Sequence, residues 1–119
     1  MKLTGTLTVL ILLLTFDYHA QAQQLAVGDK DDEGRTYLFD EQLEGVYSNY
    51  WSGIRVGGNG RDQTDVHIRS DGKTVFDGII SIYCNNRSGY SWMLNGEQAE
   101  YTVPPEVVTS ARTQFCLNT

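Results

Sequence analysis

The chain of 119 residues is poor in several things, and each shortage excludes something. It has only two cysteines and two histidines, and nine basic residues against fifteen acidic ones. Two cysteines set far apart cannot build the tetrahedral Cys/His set of a zinc site. Only His67 remains once the first 22 residues are set aside. That removes His-rich metal sites and leaves no readable Ser-His-Asp set, and Ser88-Gly89 lacks the nucleophile-elbow pattern. A net charge of −6 disfavours nucleic acid and anionic membrane as partners, because both repel it. Beyond Leu14 no apolar run is long enough to cross a bilayer.

What is present begins with an export signal. Lys2 gives a positive start, Leu7 to Leu14 form a short apolar run, and Ala20-Gln21-Ala22 is the small-x-small pattern that a signal peptidase accepts. The expectation is a signal peptide over 1–22, cleaved after Ala22, and a product that is periplasmic or extracellular. Asp17 and His19 argue against an uncleaved anchor, since both are costly in lipid. Cleavage removes one lysine and one aspartate, so the net charge stays at −6. So small a mature domain is often marginal without a staple. Cys84 and Cys116 allow one intrachain pairing in an oxidising compartment. It would close a loop of about thirty residues, worth roughly 3–4 kcal/mol of chain entropy.

Residues 23–34 are polar and acidic and read as a flexible arm, leaving 35–119 as one α+β domain. The expected architecture is a small antiparallel sheet of about four strands with a C-terminal helix packed on one face. Phe39, Leu43, Val46, Tyr47 and Tyr50 recur at helical spacing, with Asp40 placed to cap. Gly57-Gly58-Asn59-Gly60 breaks the chain, and a polar loop runs to Asp65. Val66 and Ile68 then alternate with His67 and Arg69, and Asp71-Gly72 signals a two-residue hairpin turn. That turn pairs Ile68 with Val75. It leaves Ile80, Ile82 and Cys84 on the opposite parity, which predicts a bulge at Asp77-Gly78. Asn95-Gly96 signals a second hairpin, with Tyr90, Trp92, Leu94, Ala99, Tyr101 and Val103 on one face. Pro104-Pro105 ends the sheet. Val107, Val108, Ala111 and Phe115 then make the apolar stripe of a helix that carries Cys116 to Cys84.

Three groups of residues are candidates for chemistry or binding. Asp29-Lys30-Asp31-Asp32-Glu33-Gly34 resembles the start of an EF-hand calcium loop, with Asp40 at the twelfth position. Glu at the fifth position, Thr36 at the eighth and the short Asp40 depart from that pattern. Asp62, Asp65 and His67 follow the glycine-rich loop, where an Asp–His pair could act as a general base. On a strand, however, Asp65 and His67 would line the outer, wet face. The third group is aromatic. Tyr50, Trp51 and Tyr90 are expected at the surface near Asn85, Asn86 and Arg87, where rings could stack sugars or anchor a protein interface. Trp92 and Tyr101 are expected inside. Asn86-Arg87-Ser88 is also a glycosylation sequon.

No catalytic, metal or cofactor set is complete. The sequence therefore points to an exported, monomeric, non-enzymatic domain that binds a protein partner in the cell envelope or outside the cell, as an inhibitor or adaptor would. The alternatives are a glycan-binding module using the same aromatics, and a small hydrolase centred on Asp62, Asp65 and His67.

Overall fold

A computed structural model of the protein describes residues 25–117; the expected leader and its cleavage point lie outside them. The fold is α+β. Five strands, β1 (Thr36–Gln42), β2 (Ser48–Gly58), β3 (Gln63–Gly72), β4 (Phe76–Tyr83) and β5 (Tyr90–Leu94), form one antiparallel sheet in chain order. Two helices, α1 (Gly96–Thr102) and α2 (Pro105–Phe115), cover one face. The strand count is thus one more than the sequence suggested.

The segment read as a helix gives two strands, and the stretch after Asn95 read as a strand gives a helix. Phe39 to Tyr50 is a hairpin, β1–β2, turning through Gly45 at φ +73°. The helical spacing was misleading: Val46 lies at the tip and is 95% exposed. Tyr and Val favour a pleated surface, and here that preference prevails.

Along β3, burial alternates strictly from Gln63 to Ser70. Thr64, Val66, Ile68 and Ser70 face the core opposite Ile82, Ile80, Gly78 and Phe76 of β4. No bulge is needed at Asp77-Gly78, because the turn is five residues long rather than two. The Ser70 hydroxyl closes that turn, donating to the Thr74 carbonyl (2.9 Å) and accepting the Phe76 amide (2.9 Å). Gly72 holds φ +130°, and a Cβ there would lie 2.3 Å from the Ser48 carbonyl oxygen. Gly78 serves as space: a Cβ would lie 2.7 Å from the Phe76 ring.

Asn95-Gly96 does not turn a hairpin either. Asn95 takes the left-handed conformation (φ 59°, ψ 34°) and starts α1, so Gly96 to Thr102 leave the sheet. The core lies between sheet and helices: Leu38, Trp51, Val66, Ile68, Phe76, Ile80 and Ile82 meet Ala99, Val107, Ala111 and Cys116. Its rings interlock, Trp51 against Phe76 at 5.8 Å and Phe76 edge-on to Trp92 at 5.6 Å. Pro105 opens α2 as expected, and Cys116 bonds Cys84 with a Cα–Cα distance of 5.6 Å.

Candidate functional site

The face of the sheet away from the helices holds a polar layer. Arg35, only 5% exposed, lies across β2 and β3. Its guanidinium donates to the Ser52 hydroxyl (2.9 Å), the Ser52 carbonyl (3.3 Å), the His67 carbonyl (2.8 Å) and His67 Nδ1 (3.0 Å). A guanidinium can only donate, so Nδ1 accepts and the His67 proton sits on Nε2, which bonds the Asp77 carboxylate. Burial, then the charge of Arg69, pulls Arg35 below its ordinary pKa, while Asp31, Glu33 and Asp77 pull it back. Arg69 bridges to Glu33 (2.7 Å) and Asp71 (3.2 Å), and Tyr37 stacks on Tyr50 at 4.7 Å.

Asp65 and His67 do share this face, as strand parity required, but they form no pair. Asp65 accepts from the Ser81 hydroxyl (2.6 Å) and the Gln63 amide (2.9 Å). Both ring nitrogens of His67 are engaged, so neither offers a free lone pair to a substrate. Asp62 is elsewhere, in the β2–β3 turn, where Asn59 (3.2 Å) and Asn85 (3.1 Å) donate to it. Those two bonds hold its carboxyl below the ordinary value, Asn59 contributing most.

The acidic stretch resembling a calcium loop is tied to β1. Gly28 donates to the Tyr37 carbonyl, Tyr37 to the Asp29 carbonyl and Asp31 to the Arg35 carbonyl, with a bridge between Lys30 and Thr36. Three of its four carboxylates are already engaged. Asp29 accepts the Ala26 amide, Asp31 the amides of Glu33 and Arg35, and Glu33 pairs with Arg69. Among the described residues, no group of three or more His, Cys, Asp or Glu side chains could hold a metal ion.

The aromatic patch is divided by the sheet. Trp51 is fully buried in the core (0% exposed), its indole donating to Glu41 at 3.0 Å. Tyr50, its neighbour on the strand, points to the opposite face, half-buried against Tyr37. Tyr101, expected inside, is 85% exposed on α1. Arg87 and Tyr90 do come together, at a cleft of about 460 Å³ between β5, α1 and α2. Trp92, Ala99, Val103, Pro105 and Val108 supply its apolar lining, and Glu100, Thr109 and Arg112 its polar edge. Asn85 and Asn86 belong to the adjoining β4–β5 loop. There Asn85 holds Asp62, and the Asn86 side chain accepts the Ser88 amide at 3.2 Å.

Two devices fix this loop. Cys84 is bonded to Cys116, and the Arg112 guanidinium donates to the carbonyls of Tyr83 (2.8 Å), Asn86 (2.9 Å) and Gly89 (2.8 Å). All three acceptors are neutral, so the positive charge of Arg112 stays at the cleft wall. Arg87 forms no ion pair among the described residues. Sequence reasoning missed the α2 side of the site. The signal was there: Pro105, Val108, Thr109 and Arg112 recur at three- and four-residue spacing, one stripe of the final helix. No protein-family model, no curated protein and no solved structure matches the chain.

Proposed function

We propose that the protein is an exported, non-enzymatic binding domain that takes a segment of a protein partner into the cleft between β5, α1 and α2. The carrying observation is the composition of that cleft: Tyr90, Trp92, Val103, Pro105 and Val108 line it, with Arg87 and Arg112 on one wall. Concave apolar surface with a few placed charges is what recognition sites are made of. Aromatic residues and arginine are also the types that concentrate binding energy in interfaces. The engagement of both His67 nitrogens supports binding rather than catalysis. A disulfide is compatible with a periplasmic or extracellular location, and among the described residues no helix is long and apolar enough to cross a membrane.

The test is a crosslinked pull-down with the mature, oxidised domain against the native envelope and extracellular fractions, read by mass spectrometry. A specific protein captured by the wild type, and lost with Tyr90→Ala and with Arg87→Glu but not with Tyr101→Ala, supports the reading. Capture that survives both cleft substitutions overturns it. Retention on cell-wall glycan, with no protein captured, favours the glycan-binding alternative.

A further inference from the structure

The sheet has two edges, and they differ. The outer side of β1 is bridged at its Thr36–Tyr37 end by the chain's own residues 28–31, and the rest of β1 carries Asp40 and Glu41. Exposed edges are normally covered or charged in this way, since unpaired backbone invites another strand. No strand lies beyond β5 among the described residues. No group outside β4 is hydrogen bonded to the Tyr90–Leu94 backbone there. Its sequence, Tyr-Ser-Trp-Met-Leu, has no charge and no proline. Only the extra residue Met93, between the pairs Ile80↔Trp92 and Ile79↔Leu94, bends its far end, which leaves Tyr90 to Trp92 as a straight edge.

Resting on the cleft reading above, we infer that the partner binds as an added strand on β5. It is an extended peptide with an apolar side chain seated in the cleft and a carboxylate facing Arg87 and Arg112. Three observations converge on this occupant. Tyr90 and Trp92 lie opposite Ile82 and Ile80 on the helix-covered face. A strand paired to β5 therefore points its alternate side chains over the same face, into the cleft mouth. The charge is complementary to an acid on the loop side only. Arg87 has no ion pair among the described residues and Arg112 has only carbonyl acceptors, whereas Glu100 on the α1 side repels a second carboxylate. Finally, a straight edge of three residues allows few backbone bonds, so the pairing needs the side chain in the cleft, and the two features act together.

The experiment uses the mature, oxidised protein and fluorescein-labelled octapeptides in which valine and threonine alternate around a central phenylalanine. Glutamate, glutamine or lysine is placed two residues from that phenylalanine, and affinity is read by fluorescence anisotropy. Glutamate should bind best and lysine about tenfold more weakly or worse, and Arg87→Glu should invert the order. Two further peptides carry N-methyl groups on alternate amides, one set for each edge of the strand. Strand addition uses one edge, so one set should abolish binding and the other leave it unchanged. Amide exchange should slow at Tyr90–Leu94 and not at Thr36–Gln42. Equal binding of both methylated sets overturns the inference, as does protection on β1, failure of every peptide to bind, or sedimentation showing β5 already sealed by a second copy. A captured protein that needs Tyr90, with a peptide indifferent to N-methylation, sinks the strand pairing and leaves the cleft reading standing.

Discussion

At β1 the chain doubles back and closes the start of its own edge, Gly28 and Asp29 bonding Tyr37 and Lys30 bridging Thr36. At β5 it turns away through Asn95 into α1, and the edge stays uncovered above a cleft. The closed edge is underpinned by Trp51, which sits beneath it in the core and donates to Glu41. The uncovered one is braced from behind, by the Cys84–Cys116 disulfide and by Arg112. Rigidity is thus distributed unequally between the two edges. One side of the sheet is covered at its Thr36–Tyr37 end and charged beyond it, at Asp40 and Glu41, and the other is held in shape while left accessible.

Substitutions can break this contrast from either side. The largest effect is expected from Trp51→Ala. It removes a fully buried ring and its bond to Glu41, and chemical denaturation should show a loss of about 3–5 kcal/mol. Replacing both cysteines by alanine releases a tie spanning 32 positions and should cost roughly 3–4 kcal/mol. The same change loosens the accessible side, so amides of the β4–β5 loop should exchange faster in the folded protein. Asp31→Ala acts on the closed side. The amides of Glu33 and Arg35 lose their acceptor, stability falls by about 1 kcal/mol, and exchange should quicken on β1 while β5 is unaffected.

The smallest effect concerns the link between the β2–β3 turn and the loop that carries Arg87. Asp62 is held below its ordinary 3.8 by Asn59 and then Asn85. A carboxylate depressed by folding stabilises the native state above its unfolded value, and that support is lost as pH falls through the folded one. Asn85→Ala should move the Asp62 titration, followed by NMR, back towards 3.8 and narrow that acidic window.

Parity and composition made part of this molecule legible in its sequence. Alternation of Val66 and Ile68 with His67 and Arg69 put the first pair inside and His67, with Asp65 two residues before it, outside, where they are found, although β3 starts at Gln63 in what read as a loop. Two cysteines in one small domain left a single pairing, and Pro105 marked the start of the last helix. What failed had local causes. Asn-Gly favours positive φ, and positive φ serves a hairpin turn or a helix start equally well, so Asn95 misled. Trp51 and Tyr50 are adjacent on a strand and so must face opposite ways, whereas both were expected together at the surface, with the segment before them taken for a helix. The cleft itself combines β5, α1 and α2, and its β5 wall was grouped with α1 residues taken for strand. Only the α2 stripe was within reach of spacing alone.

Sheet order equal to chain order has a kinetic consequence. Each strand pairs only with its neighbours in the chain, so the sheet can be assembled one hairpin at a time, with short loop closures throughout. In the folded chain Cys116 reaches Cys84 because α2 lies back over the sheet. In an oxidising compartment the disulfide would act as a ratchet on chains in which α2 has docked, keeping the final helix over the sheet.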